Sequence, residues 1–330
     1  MARTIRFHQT GGPEVFQIED LDVPAPKQGE VRITVKALGL NRAESMFRSG
    51  QYLEQPQFPA RNGYEAAGTV DSVGEGVDGL QAGDAVSTIP GFSLNQYGVY
   101  GELVLAPAAM VVKHPESLSW EEAAAIWMQY VTAYGALIEL GKMKKRDTVL
   151  IPAASSSVGL AAIQITNLIG ATPIALTRTN VKRQALLDAG AKHVIATEEE
   201  DLVERVHKLT RGKGARLVFD PVAGPTLAKL AAATKQNGII FEYGALSTEP
   251  TPFPLFEVLG KLLTVRGYVL SAVTGDAKRL ARAKQFVIDG LASGKLKPII
   301  SKVFSGLDQM AEAHRYMEGN TQFGKIVLTI

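Results

Sequence analysis

The sequence contains no cysteine at all. This absence excludes disulfide bonds, thiolate nucleophiles, iron–sulfur clusters and cysteine-ligated zinc. A metal site would therefore depend on carboxylates and on the five histidines, which are His8, His114, His193, His207 and His314. No two of these stand at the i, i+4 spacing that places two imidazoles on one face of a helix. We therefore expect no catalytic zinc and predict surface or structural roles for the histidines.

The chain also lacks a strong net charge and a long apolar run. Lysine and arginine total 35 against 33 aspartates and glutamates, so the molecule as a whole has no field that would attract nucleic acid. No apolar run approaches the roughly 20 residues that span a bilayer, and the first residues contain no apolar stretch of the signal-peptide kind. We expect a cytoplasmic protein that binds neither nucleic acid nor membrane.

The hydrophobic pattern divides the chain into stretches of different period. The 330 residues are 46% hydrophobic, enough for two packed domains. Up to about residue 120 the pattern predicts short strands, such as 30–37 and 66–73, separated by glycine-rich turns in an antiparallel β domain. A helix is predicted over 120–140, with Ser119 and Glu122 forming a capping box. Strands and helices then alternate, which predicts a parallel, doubly wound sheet with right-handed crossovers.

The last stretch contains a predicted helix over 276–293, further short elements, and a final strand from Gly324. It is too short to bury a core of its own, so we expect it to fold back on the first domain. The predicted domains are 1–122, 123–265 and the return 266–330. Residues around 262–270 are predicted to form the last, edge strand of the parallel sheet.

The first strand of the alternating region runs into a turn and then a helix, which is the context of a dinucleotide-binding fingerprint. Gly159 occupies the third glycine position, while Ala154 and Ser156 replace the first two glycines. The hydroxyls of Ser155 and Ser156 can donate to phosphate oxygens, and the first helical amides, including that of Val158, favour an anion. The alternative is a capped strand-to-helix turn without a ligand.

The end of the next strand distinguishes NAD from NADP, because an NAD site carries an acidic residue there for the ribose hydroxyls. Here Thr177 is followed by Arg178 and Lys182, and the range 155–187 contains no acidic residue. Hydrogen bonds to charged groups contribute about 1.5–3 kcal/mol each, so two such contacts favour NADPH by roughly 10²- to 10⁴-fold before screening. The alternative is that Lys182 and Arg183 form an ordinary solvated helix start.

At this point the sequence resembles the medium-chain dehydrogenases over nearly its whole length. The motifs that carry the resemblance are Val-Pro-Ala-Pro-Lys-Gln-Gly-Glu-Val at 23–31 followed by Asn41, Gly-Tyr-Glu-Ala-Ala-Gly at 63–68, Gly83-Asp84, the turn at 153–159, and Gly-Lys-Ile-Val-Leu at 324–328. The resemblance implies an α/β protein with a GroES-like β-rich catalytic domain and a Rossmann doubly wound parallel-sheet cofactor domain.

Within this family the zinc alcohol dehydrogenases carry a zinc-binding histidine in the segment that corresponds to 63–68, together with cysteines elsewhere. This chain has Tyr64 there, no cysteine, and no cysteine-rich lobe. It therefore resembles the quinone oxidoreductase branch, which transfers hydride without metal. The resemblance implies an NADPH-dependent reductase of a quinone or another α,β-unsaturated carbonyl, and a homodimer. The alternatives are enoyl-thioester reduction, or nucleotide binding with little turnover.

The resemblance also implies site residues. Those expected around the nicotinamide and substrate are Asn41, Tyr52, Thr132, Gly244, Ala245, Leu246, Phe323 and Lys325. Tyr52, Tyr64 and Asn41 are the candidates for catalysis, since the anionic oxygen formed by hydride transfer requires hydrogen-bond donors. A packing role is the alternative for each tyrosine and for Thr132. The run that begins at Asp220 departs from the family pattern by one residue.

Overall fold

The computed structural model describes all residues from 1 to 330. Two compact units are present: the first unit comprises 1–128, 287–292 and 297–330, and the second comprises 129–286 and 293–296. The expected boundaries were after residues 122 and 265. Residues 266–286 group with the second unit, where Phe286 packs on Tyr134 with ring centroids 5.0 Å apart and Arg282 pairs with Glu139. No helix is both long enough and apolar enough to cross a membrane.

The structure contains sixteen strands. In chain order they are β1 (Ala2–Phe7), β2 (Gln17–Leu21), β3 (Glu30–Leu40), β4 (Ala60–Arg61), β5 (Glu65–Val73), β6 (Ala85–Thr88), β7 (Leu103–Pro107), β8 (Val111–Lys113), β9 (Thr148–Ile151), β10 (Thr172–Thr177), β11 (His193–Ala196), β12 (Ala215–Asp220), β13 (Thr234–Glu242), β14 (Thr264–Gly267), β15 (Ile300–Ser305) and β16 (Lys325–Thr329).

Twelve α-helices accompany them. They are α1 (Arg42–Arg48), α2 (Leu94–Tyr97), α3 (Trp120–Ala123), α4 (Trp127–Tyr134), α5 (Ser157–Ile169), α6 (Arg183–Asp188), α7 (Leu202–Leu209), α8 (Thr226–Ala233), α9 (Leu255–Lys261), α10 (Ser271–Thr274), α11 (Ala277–Ala292) and α12 (Met310–Glu318). A π-helical turn, Gly135–Leu140, continues α4.

The first unit is built on two sheets. Strands β15, β16, β3, β5, β6 and β8 lie side by side in that order, and β7 also pairs with β3. A smaller antiparallel sheet has the order β2, β1, β4. Alternate residues of β3, such as Val31, Ile33 and Val35, are buried in the core, as the period of two predicts. The C-terminal strand β16 pairs antiparallel with β3 and so lies in the large sheet of the first unit.

The second unit contains a six-stranded parallel sheet with the order β11, β10, β9, β12, β13, β14. The chain proceeds outward from β9 in one direction and from β12 in the other, so the strand order reverses between these two. In sheets of this kind the ligand crevice lies at the carboxyl ends of the strands beside that reversal. Strand β14 is the edge strand, as predicted.

One predicted helix is divided in the structure. The range 120–140 was predicted as one helix, but α3 ends at Ala123 and α4 begins at Trp127. The intervening alanines pack on the sheet of the first unit, and the carbonyl of Ala124 lies against Gly39, where a Cβ atom would have no room. This tertiary contact overrides the local helical pattern. The capping box itself is confirmed, with the Glu122 amide donating to Ser119 Oγ at 3.2 Å.

Candidate active site

Asn41 lies at the junction between β3 and α1 and is the N-cap of that helix. The carboxylate of Glu44, three residues later, accepts a hydrogen bond from the Asn41 main-chain amide at 2.6 Å. This is the reciprocal half of a capping box, which holds the chain at a fixed angle as it leaves the strand. The sequence pattern Asn-x-x-Glu predicts this contact, although sequence analysis did not single out Glu44.

The side chain of Asn41 is held by a buried ion pair. Lys325 Nζ donates to Asn41 Oδ1 at 2.6 Å and also bonds to Glu65 Oε2. Asn41 Nδ2 in turn donates to Glu65 Oε2 at 3.1 Å. The side chains of Lys325 and Glu65 are each only 1% exposed. Lys325 was expected to contact the cofactor, but its ammonium group is enclosed and bonded to Asn41 and Glu65.

Glu44 is fully buried and accepts four hydrogen bonds on its two oxygens. The donors are both nitrogens of Asn41, at 2.6 and 3.0 Å, the Tyr64 amide at 2.8 Å and the Tyr100 hydroxyl at 2.5 Å. Burial raises the pKa of Glu44, and the donors and Lys325 oppose that rise. Glu44 therefore links Asn41 to Tyr64, two residues that the sequence placed at the site.

A second buried chain of hydrogen bonds supports Glu44. Arg48 Nη1 lies 2.9 Å from His314 Nδ1, and because a guanidinium only donates, Nδ1 is the acceptor. His314 Nε2 then carries the proton and faces the Tyr100 hydroxyl at 3.2 Å. Burial, followed by the charges of Arg48 and Arg42, holds the pKa of His314 well below its ordinary value. His314 is therefore a neutral structural histidine, the role that the sequence predicted.

Tyr52 and Tyr64 belong to the same apolar cluster of the first unit, together with Phe47 and Phe92. Burial, the largest cause in both cases, raises the pKa of each phenol above its ordinary value. Both therefore stay protonated at neutral pH, and each phenol can donate a hydrogen bond.

In the second unit, the turn after β9 has the geometry of an anion site. Ser156 caps α5, and its Oγ accepts from the Gly159 amide at 3.0 Å. The amides of Ser157 and Val158 lie in the first turn of the helix, where no preceding helical carbonyl can accept from them. Gly159 has no room for a Cβ atom against the main chain of Ala154, which fits the third glycine position of the fingerprint.

Two cations stand close to this turn. Lys182 Nζ donates to Ser155 Oγ at 3.1 Å, which joins the turn to the segment after β10. Burial and then the charge of Arg178 lower the pKa of Lys182. Thr177 ends β10, and Arg178 after it is exposed. Arg183, in contrast, is committed to an ion pair with Glu200 and is not directed at the turn.

An acidic residue near this segment comes from the end of the next strand, and the sequence around β10 alone does not indicate it. Glu199 follows β11 and accepts from the main-chain amide of Asn180 at 2.9 Å. The parallel pairing of β10 with β11 brings the two segments together. Glu199 thus anchors the loop that contains Arg178 and Lys182. The sequence of β10 and its loop alone does not predict this contact, because Glu199 follows the next strand.

The carboxyl ends of β12 and β13 carry two acidic residues that sequence analysis did not connect. Asp220 accepts from the amides of Val222 and Ala223 at 2.8 and 3.1 Å. Glu242 is its register partner, and both carboxyl oxygens of Glu242 are buried without a hydrogen-bond partner. The hydroxyl of Tyr243 is likewise buried and without a partner.

The remaining predicted residues have clear positions. Gly244, Ala245 and Leu246 form the loop after β13, where the Leu246 amide donates to the Pro221 carbonyl at 3.0 Å. Thr132 is buried within α4 of the second unit. Phe323 precedes β16 in the first unit, and its amide donates to Ser301 Oγ at 3.1 Å.

The chain matches two family models. The model described as "Alcohol dehydrogenase GroES-like domain" matches residues 27–116, and "Zinc-binding dehydrogenase" matches 157–287. Human quinone oxidoreductase is 32% identical over 334 residues, which cover 100% of this chain and 98% of the human protein.

Two solved structures are similar over almost all of both chains. The structure of Escherichia coli quinone oxidoreductase complexed with NADPH has a TM-score of 0.90 and 31% identity, covering 99% of this chain and 100% of that one. A structure described as an NAD-dependent alcohol dehydrogenase has a TM-score of 0.91 and 32% identity, covering 99% of each chain.

Proposed function

Because this chain belongs to the medium-chain dehydrogenase/reductase family, in its quinone oxidoreductase branch, we propose that it is an NADPH-dependent oxidoreductase that transfers hydride to a quinone or another α,β-unsaturated carbonyl without a metal. The observation that carries the proposal is the pair of neighbouring phenols, Tyr52 and Tyr64, whose pKa values burial raises. Tyr64 stands in the segment where the zinc enzymes of the family have a metal-binding histidine, and a protonated phenol is a hydrogen-bond donor instead.

The metal-free chemistry is supported by the side chains that are present. Without cysteine, the usual ligand set of this family's catalytic zinc cannot form. The structure also brings together no group of three histidine, aspartate or glutamate side chains suited to a metal ion. Removing hydride from a saturated alcohol requires a group that takes the hydroxyl proton, and two tyrosines with raised pKa values are poor bases. Reduction of a conjugated acceptor fits these residues better.

NADPH is the proposed cofactor because the second unit offers donors of the right kind. The amides of Ser157 and Val158 would hold the pyrophosphate at the start of α5. The 2′-phosphate would be bound by the exposed Arg178 and by Lys182, whose ammonium group is oriented by its hydrogen bond to Ser155. The E. coli relative is described as complexed with NADPH, which supports the same choice. The loop 244–246 and Thr132 would line the nicotinamide from this unit.

Bound NADPH would supply the hydride. The first unit contributes the Tyr52 hydroxyl, which donates to the acceptor oxygen as negative charge develops on it. A quinol or enolate anion is delocalised, so a phenol can stabilise it without a Lewis acid. Asn41 and Phe323 are the other proposed contacts of this unit.

Lys325 acts in this proposal as a positioning residue. Its bond to Asn41 Oδ1 fixes which end of the amide is the acceptor, and Glu65 neutralises its charge. One lone pair of Asn41 Oδ1 is then left for a hydroxyl of the cofactor or substrate. The role expected for Lys325 from sequence is thereby changed from direct contact to orientation of Asn41.

We also propose a homodimer formed through the edge of the parallel sheet. Strand β14 has one unpaired edge, and the adjoining helix α9 and its C-cap expose apolar side chains: Phe256 is 87%, Leu259 61% and Leu262 63% exposed. Light scattering should give twice the mass of the chain. The Phe256→Glu, Leu259→Glu double variant should give the monomer mass, whereas a wild-type monomer would refute the interface.

The function is tested by adding NADPH to the purified, chelator-treated protein and following cofactor oxidation with 1,4-benzoquinone and with a panel of small enones. We expect turnover with at least one conjugated acceptor and none with saturated ketones. Tight NADPH binding without turnover across the panel would contradict the enzymatic proposal and support a nucleotide-binding role. Turnover that returns only after zinc is restored would contradict the metal-free chemistry.

A further inference from the structure

Glu242 is the last residue of β13, at the carboxyl edge of the parallel sheet. The residue is partly exposed, yet both of its carboxyl oxygens are buried and neither has a hydrogen-bond partner. A buried polar group without a partner costs about 1–3 kcal/mol, and more when it is charged. Such groups are rare in folded proteins and call for a specific explanation.

The neighbour of Glu242 in the sheet does not compensate for it. Asp220 is its register partner in a parallel pair, so both side chains project from the same face. The Asp220 carboxylate is already occupied by the amides of Val222 and Ala223. It presents a like charge to Glu242.

The other elements packed on β13 provide no cation for Glu242. Lys229 of α8 is exposed, and Lys261 of α9 bonds to Glu257 at 2.9 Å and to two main-chain carbonyls of α8. Arg266 of β14 is the register partner of Phe241 and so projects from the opposite face. Asp220 is the one charged group with an electrostatic effect on Glu242.

The protonation state follows from these surroundings. Burial, and then the charge of Asp220, raise the pKa of Glu242 to about 8. At neutral pH the side chain is therefore mostly a carboxylic acid, which has an O–H donor. No acceptor for that donor lies within hydrogen-bond distance in the protein.

The position of Glu242 indicates where an acceptor would come from. Ligands of doubly wound sheets bind outside the carboxyl ends of the strands. The 244–246 loop, which we propose to line the nicotinamide, follows Glu242 and Tyr243 directly. An unpartnered O–H at this strand end is what a ligand rich in hydroxyl and carbonyl oxygens would satisfy. An ionised Glu242, in contrast, would repel an anionic dinucleotide.

We propose that Glu242 is a dinucleotide-binding residue that works as a neutral acid: its O–H donates to a hydroxyl or carbonyl oxygen of the bound dinucleotide, and its ionisation opposes binding. This inference rests on the proposed cofactor. By linkage, NADPH binding above neutral pH is accompanied by proton uptake at Glu242.

The test is the dissociation constant of NADPH for the full-length protein, measured by calorimetry from about pH 6.5 to about pH 9, for the wild type and Glu242→Gln. If the neutral form binds, the wild-type constant rises about tenfold over this range, because Kd increases tenfold per pH unit above the pKa. Glutamine keeps a neutral donor, so the variant should change less than about threefold. Glu249→Gln, an exposed carboxylate in the following loop, is the matched control and should behave as the wild type.

The outcomes separate this inference from the cofactor assignment. No NADPH binding at the lowest pH overturns the cofactor and this inference together. Binding with the same tenfold rise in Glu242→Gln overturns the inference alone. Deprotonation of Lys182 at high pH would weaken NADPH binding to the wild type and to Glu242→Gln equally. It therefore cancels in the ratio of their two dissociation constants.

A measurement on the wild type covers the case of a variant that fails to fold. Calorimetry near pH 8 in two buffers of different ionisation enthalpy should show about half a proton taken up per NADPH, since Glu242 is about half ionised there. NADH, which has no 2′-phosphate for Lys182, should give a similar value. No uptake with NADPH, or uptake with NADPH but not NADH, overturns the inference.

Discussion

Lys325 Nζ donates a hydrogen bond to Asn41 Oδ1 at 2.6 Å, although the two residues are 284 positions apart in the chain. The bond spans β16 and the N-cap of α1, and Glu65 on β5 completes it as an ion pair. All three side chains are buried. The C-terminal strand thus fixes the orientation of a residue at the beginning of the first helix.

Removing the cation should destabilise the protein strongly. Lys325→Met leaves the Glu65 carboxylate buried without a counter-charge, and breaking one side of a buried ion pair costs about 3–5 kcal/mol. Urea unfolding should show this loss, with part of it restored in the Lys325→Met, Glu65→Gln double variant. Lys36→Met, an exposed lysine on β3, should change stability by less than about 0.5 kcal/mol. Equal losses for Lys325→Met and Lys36→Met would show that the ion pair is not stabilising.

The two tyrosines should contribute unequally to turnover. Tyr52→Phe removes the proposed donor to the oxyanion, and a hydrogen bond to a charged group contributes about 1.5–3 kcal/mol, so kcat should fall about 10- to 100-fold. Tyr64→Phe keeps the aromatic packing around Tyr52 and removes only a neighbouring hydroxyl, so it should lower kcat by less than about tenfold. NADPH affinity should stay unchanged in both, since neither residue is proposed to hold the phosphates. A larger loss in Tyr64→Phe than in Tyr52→Phe would reverse their assigned roles.

The preference for NADPH should depend on Lys182 more than on Arg178. Lys182→Ala should weaken NADPH binding about 10- to 100-fold, the equivalent of about 1.5–3 kcal/mol, and leave NADH binding nearly unchanged. Arg178 is exposed, so solvent screening makes the effect of Arg178→Ala smaller. Lys192→Ala, an exposed lysine after α6, is the control. Parallel losses for NADPH and NADH would place the 2′-phosphate elsewhere.

Folding stability should depend on pH through Glu242. Its pKa in the folded protein, about 8, lies above its ordinary value, so the unfolded chain ionises first. The stabilisation linked to the neutral form is fully present below the ordinary pKa of glutamate and is lost as the pH rises towards about 8. The urea midpoint of Glu242→Gln should therefore rise relative to that of the wild type between the ordinary pKa of glutamate and about pH 8. Above that pH the difference between the two midpoints should stay constant. Curves that stay parallel from about pH 5 to about pH 9 would contradict the shift.

Much of the second unit could be predicted from sequence because its signals are local. Strand β9 and helix α5 occur in the predicted order of strand, turn and helix, since a short apolar run ends in a turn and a serine cap begins the helix. The division of 120–140 into α3, α4 and a π-helical turn could not be predicted, because it depends on the contact between Ala124 and Gly39.

Ser155 and Lys182 were predicted from the chemistry of their side chains at a strand-to-helix turn and a strand end, and Asn41 and Tyr64 from the resemblance to the family. All four stay predictions. The link of Lys325 to Glu65 was not predicted, because the two partners are 260 residues apart and meet only through the pairing of β16 with β3 and of β3 with β5. Glu242 was missed because a single acid at a strand end looks ordinary until its partners are known.

The central claim is that this protein transfers hydride from NADPH to a conjugated acceptor without a metal. The most direct measurement uses NADPH deuterated at the transferred position, chelator-treated protein and an enone that turns over, with mass spectrometry and NMR of the product. The account predicts one deuterium on the β-carbon of the saturated ketone, and the same rate with unlabelled NADPH before and after chelator treatment. Product without deuterium, or transfer that occurs only after zinc is added, would contradict it.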